Sequence, residues 1–195
     1  MLNFRALALL SAFVATPALA SDWTIDPAHS EAGFRVKHMG ITNVDGSLGP
    51  MSGTIHIDEK DITKSTVDIS IDVSGIDTRE PKRDGHLKSP DFFDVAKFPT
   101  ATFKSTSVQS VATGKLKVTG NLTLHGVTKS VTLDVDGPTD PIKDPFGNTK
   151  IAAQGSGTVD RTDYGLTWNK TLDKGGLLVG NTVTLNVAVE ASPKK

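Results

Sequence analysis

The chain has 195 residues, with 21 Lys+Arg against 22 Asp+Glu and a net charge of −1. An evenly mixed, near-neutral surface lacks the basic face that nucleic acid requires, so no nucleic-acid partner is expected. There is no cysteine, which excludes thiol catalysis, thiolate metal sites and disulfide staples; the core alone must hold the fold.

The N-terminus reads as a secretory leader. Arg5 is its single positive charge, Ala6 to Val14 form an apolar run broken only by Ser11, and Ala18-Leu19-Ala20 follows Pro17 as a small-x-small cleavage site. The run is far too short to cross a bilayer. The expectation is a signal peptide over 1–20, cut after Ala20, and one exported, periplasmic domain over 21–195. Removing Arg5 leaves 20 of the 21 Lys+Arg against the same 22 Asp+Glu. No later stretch approaches the roughly 20 apolar residues of a membrane span. Transient membrane contact and a homodimer are both compatible with this sequence.

Strand patterns then run almost to the end. Strands are expected near 29–38, with Phe34, Val36 and His38 alternating, and near 44–58, with Ile55 and Ile57. The clearest lies in 64–77: Val67, Ile69, Ile71 and Val73 share one face, and Thr66, Asp68, Ser70 and Asp72 the other. Next come 99–110 with Ala101 and Phe103, and 114–125 with Leu116, Val118, Leu122 and Leu124 in register with Gly120. Then follow 128–140 with Val131, Leu133 and Val135, 147–160 with Ile151 and Ala153, and 178–191 with Val183, Leu185, Val187 and Val189. Turn signals fall at Asn43 to Gly46, Thr113-Gly114, His125-Gly126 and Phe146 to Asn148. Pro81 to Val95 and Asp160 to Leu172 break the two-residue period; the first suits one or two short helical turns.

Eight alternating strands with short connections are antiparallel neighbours and must bury one face, as a sandwich or a closed barrel. Strands of roughly ten residues favour the barrel. Its inward positions are mostly Val, Ile and Leu, with Gly33, Gly53, Gly120 and Gly155 inside strands. Pattern alone leaves two interiors open: a cavity along the axis, or tight aliphatic packing.

Four blocks of the chain resemble the YceI-like family, the lipocalin-like polyisoprenoid-binding proteins of bacterial envelopes. Trp23 to Ser30 followed by Phe34 to His38 is like that family's opening strand. Arg83-Asp84-Gly85-His86-Leu87, continuing through Asp91-Phe92-Phe93-Asp94 to Phe98-Pro99 and Thr102-Phe103, is the most specific block. Gly120 to Lys129 resembles the central hairpin, and Arg161-Thr162-Asp163-Tyr164-Gly165 precedes the last strand. The resemblance implies an all-β, eight-stranded antiparallel up-and-down barrel with one or two short helical segments and an apolar pore for a long-chain amphiphile. Leu48, where the family often has Phe, and Gly33, where a bulkier residue is common, bear on the width of that pore.

The pore lining expected on this reading is Phe34, Val36, Ile55, Val67, Ile69, Ile71, Phe92, Phe93, Phe103, Leu116, Val118, Leu122, Leu133 and Leu185. Head-group contacts are sought at His38, Asp84, His86, Arg161, Tyr164 and Trp168. Asp84 and His86 are the most enzyme-like pair, since a carboxylate two residues away could orient an imidazole for acid–base work. The plainer alternative has Asp84 capping a short helix and His86 bonding to backbone. Arg161 either pins a loop or meets a polar head group, and Phe92, Phe93 and Phe98 form an aromatic plug at one barrel end. The histidines at 29, 38, 56, 86 and 125 show no metal-ligand spacing. No metal and no cofactor are expected, and the partner is a long-chain lipid, an isoprenoid of polyprenyl or quinone type. A fatty-acid or fatty-amide binder, an enzyme acting on such a lipid and a ligand-free structural barrel are the alternatives.

Overall fold

The computed structural model describes residues 20–173 and 175–194. The leader expected over 1–20 lies outside them, apart from Ala20. Eleven strands form in chain order: β1 (Ala20–Ile25), β2 (Glu31–His38), β3 (Thr42–Ser47), β4 (Met51–Asp58), β5 (Thr66–Asp72), β6 (Thr100–Ala112), β7 (Lys115–Leu124), β8 (Val127–Asp136), β9 (Ile142–Lys143), β10 (Thr149–Asp160) and β11 (Val179–Pro193). The one α-helix among the described residues, α1 (Pro81–Lys88), follows β5.

The sheet is a closed antiparallel barrel of eight staves. β1 and β2 are two halves of one stave, and β3 and β4 two halves of the next: β1 pairs with β4, and β2 with β3. From there each stave pairs with its successor through β5, β6, β7, β8, β10 and β11. β11 then closes the ring on both halves of the first stave. Short connections made this up-and-down order the expected one.

Alternation sets which side chains go inside. Ile69 and Ile71 are buried and face Phe103 and Ala101 across the β5–β6 ladder, while Asp68 is exposed and faces Lys104. On the outer face of β7 and β8, Lys117 reaches Asp134 at 2.6 Å, and Thr119–Thr132 and Thr123–Thr128 share hydroxyl hydrogen bonds at 2.8 Å. These cross-strand pairs fix the register, since a one-residue slip would put charge inside and Val118 and Leu122 outside.

The structure departs from the sequence expectation in four places. The first stave reaches back to Ala20, with Trp23 and Ile25 buried; the break at Asp26-Pro27 hides so short a strand from a pattern search. The first hairpin turns at Met39–Gly40, and Asn43 to Gly46 lie inside β3. There Asp45 accepts from Arg35 across the hairpin at 2.5 Å, and a Cβ on Gly46 would meet the Phe34 ring at 2.6 Å, so that glycine serves packing and not a turn. β5 stops at Asp72 because that carboxylate accepts from the backbone N–H of Ser74 at 2.9 Å and starts a 3-10 turn. β9, two residues long, carries no period that a sequence could show.

The kink between β1 and β2 is tied down by ionic contacts. Lys150 Nζ lies 2.9 Å from both Asp26 Oδ2 and Glu190 Oε1, and its side chain is 16% exposed. His29 Nδ1 sits 3.1 Å from Asp26, and the Asp26 N–H donates to the Glu190 carbonyl at 2.8 Å. Lys150, then His29 and the Ala28 N–H, hold the Asp26 carboxyl well below the usual carboxylate range. Asp26 and Glu190 in turn push Lys150 up to about 12.

Two outcomes follow from this architecture. Ile69→Asp should cost about 3–5 kcal/mol, the scale of an unpaired buried charge, whereas Asp68→Ala should stay within about 1 kcal/mol. Urea unfolding of both variants reads this, and equal losses would mean that the register is wrong. The second outcome concerns pH. Because the Asp26 pKa is lowered on folding, its contribution is complete above the ordinary carboxylate pKa of about 4 and is lost as pH falls toward the folded value. Lys150→Met removes the main cause of that shift. Its stability should therefore fall less steeply than the wild type's on going from neutral pH to below pH ~4; parallel curves would show that the Lys150 contact adds no pH-dependent stability.

Candidate functional site

The aliphatic interior leaves a cavity of about 210 Å³ toward the α1 end of the barrel. A dry apolar cavity of about 150 Å³ already takes up benzene. A second space of about 70 Å³ continues toward the other end, and Ile55, Val67, Val118, Val135, Ala153 and Val189 line both. The interior is therefore two chambers in line, with a constriction of mostly β-branched side chains between them.

The structure brings Phe34, Val36, Ile55, Val67, Ile69, Ile71, Phe92, Phe93, Phe103, Val118, Leu122, Leu133 and Leu185 to the wall of the larger chamber. Leu116 lines the smaller one. The sequence reading missed Met51, Leu87 and Leu166. Met51 continues the alternation of Gly53 and Ile55, so its signal was present; Leu87 and Leu166 sit in the irregular segments, where no period marks an inward residue. The four strand glycines divide. A Cβ on Gly33 would meet the Asn186 carbonyl oxygen at 3.1 Å and point to the outer face with Glu31, whereas Gly155 opens onto the chamber. Gly120 does not: a Cβ there would meet the Phe103 ring at 2.4 Å, so Phe103 fills the space that this glycine leaves. At Gly53 a Cβ would meet the Asp68 carbonyl oxygen, and that glycine serves close strand contact.

The Arg83 to Leu87 block builds the cover of the larger chamber. Glu80 accepts from the Arg83 N–H at 2.6 Å and caps α1, with Pro81 in its first turn. Asp84 accepts from the Thr78 N–H at 2.9 Å and from the Thr78 hydroxyl at 2.5 Å. Arg83 donates to the Thr78 hydroxyl at 2.7 Å and to its carbonyl at 2.8 Å. Both charged side chains thus clamp one buried threonine, and the helix is set so that Leu87 lines the chamber. The chain then doubles back, with the Phe93 N–H donating to the Leu87 carbonyl at 2.9 Å, which places Phe92 and Phe93 over the opening.

Neither reading of Asp84 and His86 holds: they form no acid–base pair, and the cap of α1 is Glu80, not Asp84. Asp84 is occupied by Thr78, and His86 Nε2 lies 2.8 Å from Asp91. The His86 ring packs edge-on against Phe92 at 5.0 Å and Trp168 at 4.8 Å, with Phe92 and Trp168 5.1 Å apart. Helix geometry is the reason: positions two apart point away from each other. Phe98 also leaves the expected plug and sits on the β7–β8 turn against His125, at 4.7 Å. His38 ends β2, and neither it nor Trp168 lines the chamber.

Arg161 does line it, as the one charged side chain among the described residues of an otherwise apolar wall. It is 6% exposed, and its guanidinium donates to the carbonyls of Gly180 at 2.9 Å, Leu166 and Val179, and to Asn181 Oδ1 at 3.5 Å. Burial lowers its pKa, yet a guanidinium stays charged in proteins. No carboxylate among the described residues lies within ion-pair distance of it; carbonyl dipoles hold the buried charge, and Asp160 adds a longer-range attraction. Tyr164, three residues on, is 1% exposed, and its hydroxyl finds no partner among the described residues. It lies beside β8 and β10, whose ladder covers three residue pairs only, Gln154–Asp136 to Ser156–Asp134. The cluster with metal-like spacing, Asp26, His29 and Glu190, already holds the Lys150 ammonium.

Comparison with known proteins places this geometry. The family model described as the YceI-like domain matches residues 23–191. Protein YceI of Salmonella arizonae is 37% identical over 171 residues, 86% of this chain and 86% of its own length. Among solved structures, Burkholderia cenocepacia BcnA shares the fold at a TM-score of 0.73 and 21% identity, covering 86% of this chain and 99% of its own. A polyisoprenoid binding domain from Saccharophagus degradans, implicated in plant cell wall breakdown, aligns at a TM-score of 0.63 and 17% identity, over 88% of this chain and 98% of that domain. With a matching family model over nearly all of the barrel and a relative at this identity, the chain belongs to the YceI-like family.

Proposed function

We propose that the barrel binds one long apolar chain, an isoprenoid of polyprenyl or quinone type, and serves as an exported periplasmic carrier or reservoir for it. The observation that carries this reading is the larger chamber, about 210 Å³, lined among the described residues by apolar side chains and glycine with Arg161 as the single charge. Each methylene buried there gains about 0.8 kcal/mol, so several prenyl units outweigh the cost of ordering the chain without polar recognition. A chain longer than the larger chamber continues past the Val67–Val118 constriction into the smaller one, which lies on the same path. Its polar end stays toward α1, where Arg161 adds a positive potential. The domain from Saccharophagus degradans, named for binding polyisoprenoid, supports the ligand class by shared fold. The reading contains no catalytic step, and the separation of Asp84 from His86 agrees with that.

Organic-solvent extraction followed by mass spectrometry tests the reading. Wild-type protein should release an intact long-chain lipid. A Cβ on Gly155 would meet only Val135 and Leu133, at 3.5–3.9 Å, so Gly155→Phe should fold while its ring fills the chamber and excludes the chain. His86→Ala should retain unaltered lipid, since losing one hydrogen bond removes only about 0.5–1.5 kcal/mol. Lipid chemically converted by wild type and left unconverted by His86→Ala would overturn the carrier in favour of an enzyme. Equal lipid in wild type and Gly155→Phe would show that the chamber is not where the chain lies.

A further inference from the structure

Exposed large apolar side chains gather at the two ends of the barrel. Met39, Ile41 and Leu177 lie at the α1 end, and Val111, Ile142 and Phe146 at the other. The first group sits on two adjoining tips. One is the β2–β3 turn, which projects past Ser47, the residue that bridges to Asp77 at the barrel rim. The other is the small hairpin before β11, closed by Thr171 bridging to Leu177 and by the Leu178 N–H donating to the Lys170 carbonyl at 2.9 Å. The Met39 N–H donates to the Leu178 carbonyl at 2.8 Å and joins the tips.

Two observations set this end apart. The β2–β3 turn holds both Met39, at φ 53°, and Gly40, at φ 75°, in the left-handed region. Such a turn favours Asn-Gly; a long unbranched apolar residue there is strained and still leaves 39% of its surface exposed. Next to it Ile41 is 78% exposed. The second observation is charge. Lys37 and Lys170 flank the tips, are exposed, and form no ion pair among the described residues; Asp173 is the one carboxylate on the second tip. At the opposite end Ile142 and Phe146 are interleaved with Asp140, Lys143 and Asp144, so the carboxylates there outnumber the one lysine. Asn148 and the Phe146 N–H hold the Asp144 carboxylate in its ionised form, which opposes an anionic surface.

We propose that the α1 end docks on a bilayer surface that carries anionic lipid, with Met39, Ile41 and Leu177 entering the headgroup–acyl boundary and Lys37 and Lys170 meeting phosphates. The cavity cover formed by Leu87, Phe92 and Phe93 lies at this same end. A chain that is insoluble in water then passes between cavity and bilayer without crossing solvent. That purpose rests on the carrier reading; the docking itself does not.

Flotation with vesicles of phosphatidylglycerol and phosphatidylcholine, against phosphatidylcholine alone, tests the proposal. Wild-type protein should float with the mixed vesicles and lose most of that binding in high salt. Ile41→Ser with Leu177→Ser should weaken it tenfold or more, the scale of two exposed aliphatic side chains that no longer insert. Phe146→Ser should leave it unchanged. Met39→Asn should raise the melting temperature, as the better residue for the turn, and still weaken vesicle binding, a combination that a merely structural Met39 would not give. The proposal is overturned if wild-type protein does not float, if Phe146→Ser is the variant that fails, or if gel filtration shows a dimer that Ile41→Ser with Leu177→Ser dissolves, which would make this face an interface between copies. Solvent-extracted protein that floats but never yields lipid from cells supports the docking and removes the carrier; lipid-loaded protein that does not float does the reverse.

Discussion

Closure of the sheet on β11 is the constraint from which the rest of this structure follows. That strand pairs over ten residues with β10 and, on its other edge, with both β1 and β2. A closed sheet has one enclosed face, so every second residue of eight staves must be accommodated inside. Val, Ile and Leu at those positions are too small to fill the α1 half of the axis, and the chamber is what remains. Closure also explains the Lys150 contacts with Asp26 and Glu190. The first stave must bend to pair with β11 along both halves, and the ion pairs hold that bend where Pro27 breaks the strand.

The chamber and its cover are built by different physics. The wall is generic hydrophobic packing, tolerant of exchange among aliphatic side chains of similar volume. The cover depends on directed hydrogen bonds. Arg83 and Asp84 converge on Thr78, and Glu80 caps the helix, so a short segment with no buried residue of its own is nevertheless set in one position. Helices this short have little stability in isolation. The clamp supplies what packing does not, and that assigns the charged part of the family's most specific block a structural role. Arg161 does comparable work on the facing loop by gathering carbonyls from both ends of the 166–180 segment. Its charge reaches the chamber as a by-product of that geometry, and among the described residues of the wall it is the one charged side chain.

The sequence by itself determined the staves, the face each one buries, and the family. A two-residue period in Val67-Ile69-Ile71 or Leu116-Val118 leaves one register in which charge stays outside, so of the twelve expected pore residues on strands eleven line the larger chamber and Leu116 the smaller one. Tertiary structure alone decided how the interior is filled and how the irregular segments are joined. Gly120 and Gly155 look alike in sequence, yet Phe103 from the neighbouring stave occupies the space at one and nothing occupies the other. Asp84 and His86 look like a catalytic pair at a spacing of two, but a helix turns them apart, toward Thr78 and Asp91. The site of the first turn was misplaced for the same reason. Asp45-Gly46 has turn chemistry, while the ladder between Arg35 and Asp45 and the Phe34 ring over Gly46 keep it in a strand. Periodicity is local and survives in a single chain; the partner that fills a glycine's space or answers a carboxylate comes from residues far away in sequence, and only the closed barrel brings it near.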